Sequence, residues 1–258
     1  MTQTVARAML TASLLLAAAA APALGRAEIG VPTYTATYDV EYKGKHLGTS
    51  EYSVTYDAKR DIYEFTSSTR VKGLLKLVSP NPAIERCQFK VASGKIVPQE
   101  YWHEDGSRKG DDNSRMTFDW QRHVAIVSDK HGRREMKIED GTLDRACIQV
   151  ALMRDLIVNG KLGSTYLMAD DESVTPYEYV DNGETMTATA LGDIPTRSFV
   201  QHRENSSRTT TLFMAPSLSY LPARIEQTKD GELQTAFTLE SVEGLAGAPA
   251  DTGKKKRR

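Results

Sequence analysis

Hydrophobic and polar positions alternate with a period of two from the first folded segment onward. In residues 33–42 the even positions are Tyr34, Ala36, Tyr38, Val40 and Tyr42, and the odd ones are Thr33, Thr35, Thr37, Asp39 and Glu41. Successive side chains of a strand point to opposite faces, so the segment predicts a strand with one apolar-aromatic face and one wet face. Lys43-Gly44-Lys45 reads as a turn, and residues 47–56 repeat the phase with Tyr52, Val54 and Tyr56. Residues 62–71 do so again with Tyr63, Phe65 and Val71, which predicts an antiparallel meander joined by short turns. Leu74, Leu75, Leu77 and Val78 then form an apolar patch closed by Ser79-Pro80-Asn81-Pro82. It is expected to be one helical turn or a loop packed onto the sheet, ended by its prolines.

Further strands are expected at residues 85–91, 96–102, 115–120, 124–128 and 135–138, and later at 164–169, 176–180, 184–191, 197–201, 208–214, 223–229 and 233–239. Lys229-Asp230-Gly231 is a hairpin signal between the last two. A single helix interrupts them: Leu143, Ala146, Cys147, Val150, Ala151, Ile157 and Val158 recur at helical spacing, with Thr142 as cap and Gly160 as stop. The predicted class is mainly β, a large curled antiparallel sheet or partly open barrel with one central α-helix. One helix cannot cover such a sheet, so the sheet must curl around it.

The chain opens differently. Arg7 precedes an uncharged Leu- and Ala-rich run over residues 8–25, followed by small residues around Ala23 and Ala27. That is the order of a cleavable signal peptide, expected over residues 1–27 with cleavage after Ala23 or Ala27. The run is short and Ala-rich for a membrane span. No Cys precedes Cys87, so a lipoprotein is not expected, and the periplasm is the expected compartment. Removing 27 of 258 residues leaves 231, and the expected single β-rich domain covers residues 28–242. The mature chain would carry 31 basic residues (33 minus Arg7 and Arg26) against 34 acidic ones, a balance that does not favour nucleic acid. No second long apolar run follows, so an integral membrane protein is not expected. Residues 243–258 are expected to be a disordered tail ending in Lys254-Lys255-Lys256-Arg257-Arg258, either solvated or attracted to anionic headgroups.

Two features carry candidate chemistry. Cys87 shares the inward phase of Phe89 and Val91, and Cys147 lies on the apolar stripe of the helix. In an oxidising compartment they can close a disulfide, the alternative being two inert buried thiols. Tyr34, Tyr38, Tyr42, Tyr52 and Tyr56 share one face of two neighbouring strands. They can line a cavity for a lipid-like ligand, or form an ordinary aromatic core whose hydroxyls reach the rim. The histidines (His46, His103, His123, His131 and His202) show no ligand spacing, and Met116 stands where a calcium loop needs its bidentate Glu, so no metal is expected. No nucleophile elbow, P-loop or dinucleotide fingerprint is present, and neither a cofactor nor catalysis is expected.

The opening Tyr-Thr-Ala-Thr-Tyr-Asp-Val with Gly44 and Gly48, then Thr211-Leu212-Phe213 and Tyr220-Leu221-Pro222-Ala223-Arg224-Ile225-Glu226, resemble a bacterial family of exported proteins, domain of unknown function 3108. The resemblance spans residues 33–242 and implies the architecture, including a helix near residues 144–156, with no assigned activity. More distantly, the layout is similar to periplasmic lipoprotein carriers, which hold acyl chains inside a half-open barrel. That likeness is one of shape. Two functions follow as expectations. One is a non-enzymatic periplasmic protein binding a lipid or other hydrophobic small molecule in the curled sheet. The other is an envelope structural or assembly partner with a solid core, meeting another envelope protein through sheet edges or loops.

Overall fold

Strands form wherever the alternation predicts them, and the sheet they make is continuous. The computed structural model describes residues 30–203 and 206–248, so the signal peptide expected over residues 1–27 and residues 249–258 of the expected tail lie outside the described residues. The first eight strands are β1 (Tyr34–Tyr42), β2 (Lys45–Asp57), β3 (Ile62–Val71), β4 (Ala83–Ala92), β5 (Lys95–Glu104), β6 (Ser114–Asp119), β7 (Val124–Asp129) and β8 (Gly132–Lys137). A two-residue β9 (Leu143–Asp144) and the helix α1 (Cys147–Asn159) follow. The rest are β10 (Tyr166–Ala169), β11 (Val174–Thr189), β12 (Gly192–His202), β13 (Arg208–Ala215), β14 (Leu221–Lys229) and β15 (Glu232–Glu243).

The sheet order runs β8 down to β1, then β15 down to β9. Each half is a meander, and the seam between them is β1 against β15, from Thr35 opposite Glu243 to Tyr42 opposite Thr235. Every pairing is antiparallel except the short β9–β10 contact. The sheet does not close, since β8 and β9 are its two ends. It does curl. Tyr52 on β2 and Tyr179 on β11 border one cavity, although six strand spacings separate them in the sheet order. In a flat sheet that distance would be roughly 29 Å, at about 4.8 Å per spacing. Near the open ends, Arg134 of β8 donates to the carbonyl of Asp171 in the β10–β11 turn.

The curl gives the inner face something to bury against. On β1 the buried set is Tyr34, Ala36, Tyr38 and Val40, in the predicted phase. The helix is buried almost all round, through Cys147, Ile148, Val150, Leu152, Met153 and Leu156 among others, as a core helix must be. Cys87 of β4 and Cys147, the first residue of α1, are joined by a disulfide with their Cα atoms 5.9 Å apart, and both are fully buried.

Three local expectations differ from the structure. The helix begins at Cys147, because Leu143 and Asp144 are extended and pair with Met168 and Ala169. Thr142 closes a turn through Glu139, and Asp144 takes over the helix start, its Oδ1 accepting from Ala146 N (2.9 Å) and Cys147 N (2.7 Å). Segments 176–180 and 184–191 belong to one long β11 with an irregularity between Asp181 and Glu184, where Gly183 adopts a positive φ. The patch at Leu74–Val78 does form one helical turn, the first of its two expected forms: a 3₁₀ turn, Gly73–Leu77, whose side chains are exposed. Residues 243–248, expected in the tail, extend the domain: β15 runs through Glu243 and Leu245 is buried. Gly160 ends the helix as expected, at φ 66° with its N–H on the Leu156 carbonyl.

The disulfide ties the helix to the sheet across 60 positions, a loop worth about 3–5 kcal/mol in the chain-entropy account. Cys87→Ser, Cys147→Ser and the double variant should all melt on the order of 10 °C below the parent, with the single changes matching the double. Calorimetry checks this, together with thiol titration of denatured, unreduced chain, which should find no free thiol in the parent.

Candidate functional site

Between the curled sheet and α1 lies a half-open cavity of about 450 Å³, within the usual range of small-molecule sites. Its walls come from both halves of the sheet. Tyr52 and Phe65 project from β2 and β3, Leu212, Ile225 and Phe237 from β13, β14 and β15, and Ile148 and Leu152 from the helix. Alternation explains the strand contributions: each of these positions faces inward in its own strand. The ring of Tyr52 packs 4.8 Å from Tyr38, 5.7 Å from Phe65 and 6.3 Å from Phe237, making a continuous aromatic wall across the seam.

A polar cluster occupies one end. Arg145, between β9 and α1, donates from Nε (3.2 Å) and Nη2 (2.8 Å) to the hydroxyl of Tyr101. Tyr101 donates to Glu85 Oε1 at 3.1 Å, and Arg145 Nη2 lies 3.4 Å from the same oxygen. His103 Nδ1 sits 3.7 Å from Glu85 Oε1, beyond hydrogen-bond reach, and this buried nitrogen has no partner among the described residues. Glu85, His103 and Arg145 all border the cavity. Burial and the nearby Glu85 carboxylate hold the Tyr101 hydroxyl well above the usual phenol range, with Arg145 working in the opposite direction. Tyr101 therefore stays neutral and can keep donating. Gln149, Gln201 and Gln227 supply further amides along the walls. Gln201 donates to Tyr179 Oη at 2.9 Å.

The five tyrosines separate. Tyr52 borders the cavity. Tyr34 is buried against the helix, its hydroxyl 3.8 Å from Met153 Sδ and 3.4 Å from Gln149 Nε2. Tyr38 is fully buried and donates to the Pro222 carbonyl at 2.9 Å, across the seam. Tyr42, at the end of β1, is 48% exposed beside Lys43, and Tyr56 reaches the Asp61 carboxylate. A shared strand face therefore does not put all five into one pocket: Tyr34 and Tyr38 are covered by other parts of the core, and Tyr42 and Tyr56 lie near the ends of their strands. The residues that sequence reasoning passed over are Glu85, His103 and Arg145. A signal existed for the apolar wall, in the inward phase of Leu212 and Ile225. None existed for Arg145, whose position depends on β9 pairing with β10.

Behind the polar end, Asp144 is fully buried beside the disulfide. Its Oδ1 takes the two helix N–H groups, while Oδ2 has no partner among the described residues. Burial pushes its carboxyl up to about 7, opposed by those N–H donors and assisted by the Glu85 charge. One ligand atom each from Cys87, Cys147 and Asp144 lie within 4.8 Å of one another. Sulfurs joined in a disulfide carry no thiolate, so the bonded form does not bind a metal there.

Asp144 retains its proton in the folded chain up to about pH 7, while an unfolded chain releases it near 3.8. Between those values the folded state binds more protons, so this group lowers stability as pH rises through the window. The loss should be on the order of a few kcal/mol. Asp144→Asn, which keeps the acceptor for both N–H groups, should flatten that slope in urea midpoints measured from pH 4 to pH 7.

A family model described as "Protein of unknown function (DUF3108)" matches residues 37–238. No curated protein matches the sequence significantly. Among solved structures, a Bacteroides fragilis protein with a YmcC-like fold is similar at 9% identity over 81% of this chain and 95% of its own, with TM-score 0.33. MucB in complex with MucA, from Pseudomonas aeruginosa, gives 9% identity over 88% of this chain and 93% of that one, with TM-score 0.18. Among the described residues no helix is long and apolar enough to cross a membrane.

Proposed function

Since this chain belongs to the DUF3108 family of proteins of unknown function, its role must come from its own geometry, and we propose that it is a non-catalytic periplasmic binding protein for a hydrophobic small molecule with a polar head. The observation that carries this reading is the cavity of about 450 Å³ with an aromatic and aliphatic wall and one polar end. An acyl chain or similar apolar body would lie along Tyr52, Phe65, Leu152, Leu212 and Phe237. Its head would meet Arg145 and the unpartnered nitrogen of His103. Burial of the body is the main driving term, and the head fixes its direction.

Arg145, Tyr101 and Glu85 are bonded to one another, so each holds the others in place. That arrangement suits recognition: the groups are pre-oriented, and ligand entry orders little else. The alternative of an envelope assembly partner with a solid core has the cavity against it.

Native mass spectrometry of protein taken from the periplasm should find a co-purifying apolar ligand, and the emptied protein should take up a fluorescent fatty acid. Leu212→Trp fills the cavity from its wall and should remove uptake while the melting temperature stays within a few degrees. Arg145→Gln should weaken a carboxylate-headed ligand about tenfold more than the matching alcohol, the loss of one charge-assisted hydrogen bond. A clean apo mass together with no fatty-acid uptake sinks the proposal and favours the assembly partner.

A further inference from the structure

The loop between β3 and β4 breaks the pattern of a well-covered surface. Leu74, Leu75, Leu77 and Val78 are 83%, 45%, 67% and 73% exposed, clustered within five consecutive positions. Isolated exposed apolar residues are ordinary, whereas a cluster marks a contact surface. The loop is built to hold this shape. Val78 N and Ser79 N both donate to the Leu75 carbonyl, at 3.0 and 2.9 Å. Its base is fastened by Lys72 N to the Leu47 carbonyl (2.9 Å) and by Asn81 N to the Gly106 carbonyl (3.1 Å). Gly48 permits the close approach of β2 at that base, since a Cβ there would lie 2.0 Å from the Arg70 carbonyl oxygen.

Charge supplies the second observation. Arg70, Lys72 and Lys76 line a pocket of about 250 Å³ at the foot of the turn, with Ser79 and Asn81. Among the described residues none of the three lies within 4.0 Å of a carboxylate. Residues 65–84 contain these three cations and no Asp or Glu, in a chain whose net charge is −1. Apolar tips above an unpaired cationic collar complement an anionic bilayer: hydrocarbon below the headgroups and phosphates at their level. A protein partner is a poorer match, because four side chains on one tight turn fall short of the area that stable interfaces bury.

We propose that the β3–β4 turn is a membrane-docking element. Leu74, Leu75, Leu77 and Val78 insert at the headgroup boundary of an anionic phospholipid bilayer, and Arg70, Lys72 and Lys76 hold lipid phosphates in the pocket behind them. The strands that carry the turn also border the apolar cavity, on their other face. Thr69 and Ala83 border the cavity, while their neighbours Arg70 and Pro82 border the basic pocket. Docking stands on its own residues and does not depend on the cavity being filled.

The test is co-sedimentation of the purified protein with phosphatidylglycerol-containing vesicles and with phosphatidylcholine vesicles alone. The parent should bind the first and release at high salt. Leu74→Ser with Leu77→Ser should lower binding by about tenfold or more. Lys72→Gln with Lys76→Gln should lower it about 25-fold, near fivefold per cation, on the anionic vesicles only. All changed side chains face solvent, so circular dichroism and melting temperature should match the parent. The tail over residues 254–258 is present in every variant and cannot produce the differences. Leu212→Trp should bind vesicles like the parent, which separates docking from ligand binding. Variants that bind as well as the parent, or a parent that ignores anionic vesicles, overturn the proposal. So does a turn whose loss of Leu changes only the oligomeric state.

Discussion

Among the described residues one α-helix of 13 residues has to serve the inner face of a fifteen-stranded sheet, and the architecture follows from that mismatch. A flat sheet would leave most of its apolar face in water, so the strands wrap, bringing β2 and β11 around one space. The wrapping is incomplete because the helix fills the centre without reaching every wall. What remains is the cavity. Its apolar lining and its existence have the same cause: inward-facing residues of many strands, too few helix side chains to meet them all.

The polar centre of the fold lies at the N-terminal end of that helix. There the disulfide, the buried Asp144 and the Arg145–Tyr101–Glu85 cluster occupy neighbouring positions. Each solves part of the same problem, a helix start placed in the core with free N–H groups and no solvent to satisfy them. Asp144 satisfies two of those donors. The disulfide then fixes the first residue of the helix, Cys147, to β4, which sets the position of Arg145 two residues earlier at the cavity's end.

Most of the strands were legible from alternation, since each needs only its own sequence and one buried face to declare itself. The Tyr34, Tyr38 and Tyr52 phase, the Lys229-Asp230-Gly231 hairpin and the Gly160 stop are of this kind. The inward placing of Cys87 and Cys147 followed from the same periodicities, and the bond between them agrees with it. What was illegible depends on partners distant in sequence. β9 exists because Met168 and Ala169 pair with it, and that shifts the helix start and turns Asp144 into its cap. The apolar turn after β3 was legible as one helical turn or a loop, but only the three-dimensional path chooses the turn and puts Leu74 and Leu77 in solvent. Tyr34, Tyr38 and Tyr42 share a strand phase, yet none borders the cavity, because what covers each position cannot be read from a strand alone.

The seam between β1 and β15 sets an order of events for a chain made from its N-terminus. Thr35 finds Glu243 across 208 positions (243 minus 35), so the first strand to emerge is the last to gain its outer neighbour. Until then β1 presents an open edge of unpaired backbone groups, the kind of surface on which strands of other molecules add. Long-range pairing of this sort is slow to form. The chain spends that interval with a sticky flank, and its yield depends on how soon β15 arrives to cover it.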